Sequence, residues 1–513
     1  MRKLKRPKKL VEQIDLQNKV QEPILANIEK NIDVLKKIFQ DCSDVKFRPI
    51  KVEDKKAFLI FVDGLIDQNS IQMNAIHELL SETELNQLTA EYIEETVISI
   101  SEVVESDKFE DIVKQILDGN TVLLVDKLDK ALVLNAKGGQ RRAVSEPETE
   151  TAIRGPREGF IENIAVNISL IRHKLRSNHL KLVTSEIGTE TRTIVGLMYM
   201  ENLASSDLVD EVKRRLDRIK IDGVLESGYI EEFIEDEPWS IFPQIQNTER
   251  PDTVVGNLLE GRVAILTNGT PFALVLPSTF WQFMQANEDY YHRFHLVIFI
   301  RLLRMILLYL ALVLPGFYIA VTTYHQEMIP TNLLYSIAAS REAIPFPAFV
   351  EAIIMELAFE ALREAGLRLP KVIGQAVSIL GALVIGTAAV EAGIVSAPMV
   401  IVVSMTGIAS FAIPKFNMAI SIRVLRFPMM ILAGVFGLLG IGVGSLLIVT
   451  HLCKLRSFGV PYFWPVAPLN WKAFKDIFVR APWWAMDQRP SQTIIEDLSR
   501  QDHNLKPSPE NKG

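Results

Sequence analysis

The sequence predicts a multidomain protein in which an N-terminal α/β region of two repeated subdomains precedes a C-terminal α-helical polytopic membrane domain. Three observations predict this fold class. The first 293 residues are polar and mixed in charge, whereas long uncharged runs follow them. Two stretches of the polar region share one order of helices, strands and turns. The uncharged runs reach the length of about 20 apolar residues that a helix needs to cross a bilayer.

The composition excludes several classes of protein. A net charge of 55 − 62 = −7 lacks the basic excess of a nucleic-acid-binding protein, and a hydrophobic fraction of 48% excludes a wholly disordered chain. The two cysteines, Cys42 and Cys453, lie too far apart in sequence for a disulfide scaffold or a clustered zinc site. The chain also has no GxGxxG, Walker, GxSxG or HExxH motif. We therefore expect no catalytic residues, no cofactor, no metal and no nucleic-acid partner.

Residues 1–43 are predicted to form a basic, flexible tail followed by a helix. Six of the first nine residues are basic, and the apolar run of a cleavable signal peptide does not follow them. Such a tip either contacts anionic lipid or is a solvated tail. We expect the N-terminal region to face the cytoplasm, because a domain of this size without an export signal stays there.

Two related α/β subdomains are predicted at residues 44–143 and 193–292, with a linker and a helix at residues 144–192 between them. In each subdomain, an apolar strand and a helix precede a second helix, a glycine, and two strands joined by a turn. The two glycines are 261 − 119 = 142 residues apart and lie where a helix end favours a left-handed residue. The corresponding segments are Phe58–Leu65, Asn69–Leu80 and 109–136 in the first subdomain, and Thr193–Leu203, Ser206–Ile219 and 251–278 in the second.

Basic residues cluster at the end of a helix predicted at Ile161–Leu175. Arg172, His173, Lys174 and Arg176 fall within five positions. This pattern fits either a phosphate-binding patch or a salt-bridged helix face.

The membrane domain is predicted at residues 293–450, with a polar C-terminal tail at residues 451–513. The first crossing runs from about Leu296 to Ala320. Pro315-Gly316 lies near its far end and should kink or stop the helix, because proline removes a backbone donor and clashes with the preceding turn.

The number of crossings stays open at four or five. Residues 372–413 carry one charge, Glu391, and can cross twice, whereas residues 427–450 carry none. With residues 346–366 as an interfacial amphipathic helix there are four crossings, and the tail returns to the cytoplasm. With residues 346–366 as a crossing there are five, and the basic loop Lys415–Arg426 lies inside. A re-entrant helix is the third possibility.

Small residues in the last apolar run predict a helix-packing face, because they let helix backbones approach closely. The residues are Gly434, Gly437, Gly440, Gly442 and Gly444.

The ionisable residues that are the strongest candidates for a functional site lie on an acidic helix predicted at Phe346–Gly366. Glu356, Glu360 and Glu364 recur every four residues and share one face. Carboxylates within a membrane helix face water, a partner or one another, and a ring of them around an axis favours cations. The alternative is an interfacial helix with its glutamates among lipid headgroups. The candidate ion-pathway residues are Glu351, Glu356, Glu360 and Glu364, and the candidate gating or loop residues are Pro315, Gly316, His325, Glu327 and Glu391.

Four long blocks of the sequence are distinctive. They are RGPREGFIENIAVNISLIRHKLR (154–176), LPGFYIAVTTYHQEMIPTNLLYSIAASRE (314–342), PFPAFVEAIIMELAFEALREAGLRLP (345–370) and HLCKLRSFGVPY (451–462). On these blocks the chain, from about Val144 to Pro468, resembles the A subunits of GerA-type spore germination receptors of endospore-forming bacteria.

The resemblance implies a function. It implies a multi-pass protein of the spore inner membrane that forms a homo-oligomer and contacts membrane lipid. It also implies two further partners, a transporter-like B subunit and a lipoprotein C subunit of the same receptor. The A subunits are thought to assemble into a nutrient-gated cation channel that starts germination. The alternative is a non-conducting membrane scaffold that relays nutrient binding from a partner subunit.

Overall fold

The computed structural model divides the chain into two compact units. The α/β unit comprises Met1–Glu235, Asn247–Pro277 and Gln488–Arg500, and the helical unit comprises Asp236–Gln246, Ser278–Asp487 and Gln501–Gly513. The residues that the structure describes are 22–52, 55–81, 100, 102–138, 146–370, 384, 386–489, 497–502 and 505–507. The basic tip of the chain and most of the first crossing predicted in residues 372–413 lie outside these residues.

Each repeat of the α/β unit is built on a five-stranded sheet. The strand order is β1-β2-β4-β5-β3 in the first sheet and β6-β7-β9-β10-β8 in the second. The two sheets share one topology, as the repeat in the sequence predicts. The strands of the first are Val45–Val52 (β1), Lys55–Val62 (β2), Val103–Ser106 (β3), Thr121–Val125 (β4) and Ala131–Leu134 (β5). Those of the second are Leu180–Ile187 (β6), Thr193–Met200 (β7), Gln246–Thr248 (β8), Val263–Thr267 (β9) and Ala273–Leu276 (β10).

Helices cover these sheets, and in each repeat the helix before the last two internal strands ends just ahead of the predicted glycine. Gly119, after the helix of the first repeat, has φ +88°, and Gly261, at the matching point of the second, has φ +76°. Every residue of β4 and β9 is buried, so these strands carry continuous apolar runs instead of alternating ones. The helices are α1 (Ile28–Ile38), α2 (Phe109–Leu117), α3 (Ile164–Lys174), α4 (Ser206–Asp217), α5 (Ser227–Ile234) and α6 (Pro251–Leu258), with a helical segment of Gln68–Ile71, Gln72–Ile76 and His77–Ser81.

The first strand of each sheet is absent from the sequence prediction. β1 and β6 each lie at one edge of their sheet and carry outward-facing charged residues, so neither shows an apolar run. Pro49 within β1 fits an edge position, because proline cannot donate to a neighbouring strand. β6 therefore begins the second sheet within the segment that the sequence assigns to a linker.

The described residues of the helical unit form six long helices. Two of them, α7 and α11, are long and apolar enough to cross a membrane, and two shorter ones, α10 and α12, are apolar. Residues 386–391 are also helical. The six helices are Phe294–Thr323 (α7), Thr331–Arg341 (α8), Ala348–Arg368 (α9), Ala397–Phe411 (α10), Phe416–Phe436 (α11) and Leu438–Lys454 (α12).

The sequence predicts a kink or a stop of the first helix at Pro315, and of these two alternatives the stop does not occur, because the helix continues to Thr323. Two other expectations for these helices are wrong. The segment Lys415–Arg426 is not a loop, since all but its first residue belong to α11. The apolar run 427–450 is not one helix, because Gly437, with φ +61°, separates α11 from α12.

The glycines of the last apolar run do form a packing face. A Cβ on Gly440 would meet the backbone carbonyl of Leu432, and one on Gly444 would lie 2.9 Å from the sulfur of Met429. Gly442 is different, because a Cβ there would meet nothing within 4 Å. The packing prediction is thus right for the face that carries Gly440 and Gly444, which fixes α12 against α11.

The two termini of the helical unit lie at the same end of its helices. Before α7, the carbonyl of Tyr290 accepts a hydrogen bond from Trp483 Nε1 of the tail (3.2 Å). At the other end of α7, the hydroxyl of Tyr324 donates to the carbonyl of Gly434 near the end of α11 (2.7 Å). α7 and α11 therefore run in the same direction. α12 runs back along α11 towards the end at which α7 begins, because Gly440 lies against Leu432 and Gly444 lies against the earlier residue Met429.

Candidate functional site

The acidic helix α9 contains glutamates of very different exposure. It begins after Pro347 and ends at Arg368, close to the predicted bounds. The side chains of Glu351 and Glu356 are 0% exposed, that of Glu360 is 21% exposed and that of Glu364 is 55% exposed. The predicted stripe of carboxylates is therefore buried in the first half of α9 and reaches the surface in the second.

Glu356 forms a buried ion pair with Arg426 of α11. Nη1 of Arg426 lies 2.6 Å from Oε2 of Glu356, and the two side chains are 1% and 0% exposed. Apolar side chains of α7, α9, α10 and α11, among them Ile319, Ala352 and Met430, form a buried cluster in the same region. A carboxylate in such surroundings needs a positive partner, because an isolated buried charge is strongly unfavourable.

Arg426 has a second contact that explains the conformation of α7 at Pro315. Nε of Arg426 donates to the carbonyl of Ala311, 2.8 Å away. Ala311 precedes Pro315 by four residues, so its carbonyl is the one that an N–H at position 315 would bind in a helix. Arg426 supplies the missing donor and lets the helix continue through the proline.

The pair between Glu356 and Arg426 is incomplete. Oε1 of Glu356 and Nη2 of Arg426 are buried and have no hydrogen-bond partner among the residues that the structure describes. The same holds for Oε1 of Glu360, one turn along α9. We call Glu356, Glu360, Arg426 and the carbonyl of Ala311 the Arg426 site.

Glu351 joins three helices. It accepts a hydrogen bond from Nε of Arg341 at the end of α8 (3.2 Å) and another from the backbone N–H of Ser396 (2.9 Å). Ser396 is the N-cap of α10, where a negative charge interacts favourably with the helix dipole. Both oxygens of Glu351 therefore have partners, which is the arrangement of a structural carboxylate.

The last two glutamates pair along their own helix. Arg363 contacts Glu360 at 2.5 Å, and Arg368 contacts Glu364 at 2.7 Å. Each of the four glutamates of α9 thus has an arginine partner within one chain. Only the pair of Glu356 and Arg426 is completely buried and links helices that are far apart in sequence.

The candidate gating and loop residues lie in the C-terminal half of α7, just after α7, or on the surface. Gly316 lets α11 approach α7, since its Cβ would lie 3.3 Å from Cβ of Ala433. Nε2 of His325 accepts a hydrogen bond from the N–H of Leu438 (3.4 Å). Glu327 is exposed in a short turn, and Glu391 is exposed at the end of the helical residues 386–391. The structure does not bring His325, Glu327 or Glu391 into contact with the Arg426 site.

A second buried cluster lies where α7 begins. Arg301 and Arg304 both contact Asp289, at 3.1 Å and 3.0 Å, and Arg301 also contacts Asp476 of the tail at 3.1 Å. No local sequence pattern places Asp289 or Asp476 beside these arginines. One alternative from the sequence places Arg426 in a loop, and its position directly before an apolar run is the one signal that a local pattern offers.

The basic cluster of the α/β unit consists of ion pairs. Arg172 is 1% exposed and binds both oxygens of Asp44, at 2.7 Å and 3.0 Å, which joins the two repeats. Lys174 contacts Glu158 at 2.7 Å, and Arg176 contacts Asp118 at 3.0 Å. This arrangement supports the salt-bridged alternative.

In the described part of the chain, no group of three or more His, Cys, Asp or Glu side chains is arranged to hold a metal ion.

Comparisons with known proteins identify the family. The model of the Bacillus/Clostridium GerA spore germination protein family matches residues 33–492. The chain is 53% identical over 479 residues to the membrane protein YfkQ of Bacillus subtilis (strain 168), covering 93% of each chain. It is 46% identical over 499 residues to spore germination protein KA of the same organism, covering 96% of this chain and 92% of that protein.

A solved structure also matches the N-terminal region. It is the crystal structure of the N-terminal domain of the A subunit of the Bacillus megaterium spore germinant receptor GerK3, with 31% identity and a TM-score of 0.41. The match covers 51% of this chain and 98% of that one. From the family match and the relatives of nearly full length, the chain belongs to the GerA family of spore germination proteins, the family of the A subunits of germinant receptors.

Proposed function

We propose that the chain oligomerises in the spore inner membrane into a nutrient-gated cation channel, as the A subunit of a receptor that also contains a B and a C subunit. The observation that carries the proposal is the burial of Glu356 on α9 among apolar helices. Ionisable residues inside membrane helices are rare and mark ion pathways or binding sites. If several copies surround an axis, the α9 carboxylates form rings that favour cations.

The proposed topology follows from the ends of the helical unit. Because α7 begins and α12 ends at the same end of the unit, the chain crosses the membrane an even number of times. Both flanking regions then lie on one face, which we propose is the cytoplasmic face. α9 begins near the end of α11, where a Cβ on Gly434 would meet the ring of Phe349, so α9 returns through the membrane as a crossing helix.

Potassium release from spores tests the proposal. Spores in which this chain belongs to the only germinant receptor are challenged with a mixture of amino acids, sugars and nucleosides. Wild-type spores should release potassium. The neutral pair Glu356→Gln/Arg426→Gln should reduce the rate by about tenfold or more, because no carboxylate remains at position 356 to attract a cation. Glu364→Gln is the matched control, since this glutamate is exposed and should leave the rate nearly unchanged.

Unchanged potassium release in the Glu356→Gln/Arg426→Gln variant would reject a role of this carboxylate in conduction. Immunoblots of spore membranes must show equal amounts of wild-type and variant chains.

The second candidate function is a non-conducting scaffold that relays nutrient binding from a partner subunit. It is favoured by the arginine partner of each glutamate on α9, since carboxylates that pair with arginines of other helices, as Glu351 and Glu356 do, also serve to join helices. Liposomes that contain the full-length chain, with and without the proteins that copurify with it, separate the two functions. A channel passes potassium across these membranes, whereas a scaffold passes none.

A further inference from the structure

We propose that Glu356 is a cation-binding site that the guanidinium of Arg426 occupies in the closed channel, and that a permeant monovalent cation takes its place on opening. The proposal rests on the conducting function above and names the residue that keeps the path closed. No covalent bond changes. One ion pair is exchanged for another, so the charge at the carboxylate stays compensated throughout.

The carboxylate of Glu356 requires a positive partner in both states. It is 0% exposed, and its Oε2 is 2.6 Å from Nη1 of Arg426. A guanidinium keeps its proton at any physiological pH, so Arg426 leaves the carboxylate only by moving away. A second cation must then enter, since an uncompensated carboxylate is strongly disfavoured at this depth.

The backbone contact of Arg426 connects this exchange to α7. Nε of Arg426 is held by the carbonyl of Ala311, which Pro315 leaves without a helix donor. A shift of α7 along α11 therefore moves the side chain of Arg426 relative to the carboxylate of Glu356. Gly316 allows this motion at close range, because it brings α7 against Ala433 of α11. Pro315 and Gly316 thus take part in gating by positioning Arg426.

The unpaired oxygens of the Arg426 site are available to an incoming cation. Oε1 of Glu356 and Oε1 of Glu360 are both buried without a hydrogen-bond partner among the described residues. They lie one turn apart on α9, and carboxylate oxygens are suitable ligands for hard cations. The carbonyl of Ala311 becomes a further neutral oxygen when Arg426 withdraws.

A neighbouring arginine provides a matched control. Arg423 lies one turn earlier on α11 and is 5% exposed. Its Nε donates to the carbonyl of Ala419 in its own helix (3.2 Å), and its guanidinium lies 5.8 Å from the centre of the Phe416 ring. No carboxylate pairs with it in the described part of the chain. Arg423→Gln therefore removes a buried guanidinium of the same helix and leaves Glu356 occupied.

Potassium efflux from liposomes tests the exchange. The full-length chain is purified in detergent, reconstituted into potassium-loaded liposomes and followed with a potassium electrode in the absence of nutrient. Arg426→Gln should raise the efflux about tenfold or more over wild type, because the site is then open to potassium. Arg423→Gln should stay within about twofold of wild type, since Glu356 keeps its partner.

The double variant Glu356→Gln/Arg426→Gln shows whether the leak uses the carboxylate. It should return the efflux to the wild-type level, because the cation site is gone. If Arg426→Gln does not fold, judged by gel filtration, Arg426→Lys takes its place. A lysine keeps the positive charge but has no second nitrogen that could donate to the carbonyl of Ala311. The Arg426→Lys variant should therefore leak less potassium than Arg426→Gln and more than wild type.

Two results would overturn the inference. One is a well-folded Arg426→Gln or Arg426→Lys variant with wild-type efflux. The other is a leak that persists in the double variant. Either result leaves the conducting function standing if wild-type spores still release potassium on nutrient challenge. The absence of that release, together with tight liposomes for every variant, rejects both proposals.

Discussion

Single buried arginines hold each unit of the chain together. In the α/β unit, Arg172 binds Asp44 with both a Nε and a Nη2 donor, and the pair joins the two repeats. The backbone supports this contact, because Ser43 donates to the carbonyl of Leu182 (2.9 Å), and Leu182 donates to that of Asp41 (2.8 Å). Removal of one partner of a buried ion pair strongly destabilises the fold, because the charge that remains is buried without compensation.

We expect Asp44→Ala to destabilise the junction of the repeats by about 3–5 kcal/mol, because it leaves Arg172 buried without a carboxylate. Hydrogen exchange of the amides of α3 and β6, recorded on the full-length chain in detergent, measures the opening free energy. The control is Asp118→Ala, which breaks the exposed pair with Arg176 and should cost at most about 1 kcal/mol. Equal effects of the two substitutions would contradict the structural role of the buried pair.

The carboxyl groups of α5 predict a dependence of stability on pH. Burial, and then the charges of Glu235 and Glu226, raise the pKa of Glu231 from 4.5 to about 8. Burial and then Glu232 raise the pKa of Glu235 from 4.5 to about 7. At a pH between 4.5 and these raised pKa values, the folded helix binds more protons than the unfolded segment. The opening free energy of α5 should therefore fall as the pH rises from about 4.5 to about 8.

Glu231→Gln should flatten this pH dependence and stabilise α5 at pH 8 relative to wild type, because the amide has no proton to lose. Hydrogen exchange of α5 at several pH values between 5 and 8, after correction for the intrinsic exchange rate, provides the measurement. The substitution should change little at pH 5, where the native carboxyl is protonated. Parallel slopes for both proteins would show that Glu231 has an ordinary pKa.

At the scale of helices, close packing of glycines fixes α12 against α11. Gly440 meets the backbone of Leu432, and Gly444 meets Met429, four residues later on the same face. The sequence predicts such a face, because five glycines fall within eleven positions. It does not predict the chain reversal at Gly437, because apolar composition is the same on both sides of the turn.

We expect Gly440→Ala to lower the thermal stability of the helical unit by the equivalent of about 1–3 kcal/mol, because the new methyl group would overlap the backbone of α11. Gly442→Ala is the control on the same helix and should be neutral, since nothing lies within 4 Å of its Cβ. Melting of the detergent-solubilised chain, followed by loss of the monodisperse gel-filtration peak, compares the two. A larger loss for Gly442→Ala would show that α12 packs through another face.

Charged residues explain why the helix boundaries were harder to predict than the helices. An arginine or glutamate next to an apolar run indicates the end of a membrane crossing. In the structure Arg426 lies inside α11, because Glu356 and the carbonyl of Ala311 compensate it from two other helices. Those partners are 70 and 115 residues away in sequence, so no local pattern predicts them.

The same limit applied to the candidate site. The sequence predicts one helix that holds all four glutamates, and a four-residue spacing for three of them, but neither feature distinguishes the buried pair of Glu356 from the exposed pair of Glu364. Burial depends on which helices pack against each turn of α9. The fold of the α/β repeats was easier to predict, because internal strands and helix-ending glycines are local features.

Across the whole molecule, the directions of α7 and α12 predict an even number of membrane crossings. The native Cys453 near the end of α12 is exposed, whereas Cys42 is buried. A membrane-impermeant maleimide should therefore label Cys453 from the cytoplasmic face in inverted vesicles. In a chain with Cys42→Ala and Cys453→Ala, a new cysteine at Glu327→Cys should be labelled from the opposite face only. Labelling of both positions from one face would contradict the arrangement of α7 and α12.

Current recording is the sharpest test of cation conduction past Glu356. The full-length chain and the proteins that copurify with it are fused into planar bilayers under a gradient of potassium chloride, and nutrients are added. A cation channel of this kind should give currents that reverse close to the potassium equilibrium potential and that disappear in Glu356→Gln/Arg426→Gln. A silent bilayer, or currents that reverse close to the chloride equilibrium potential, would contradict it.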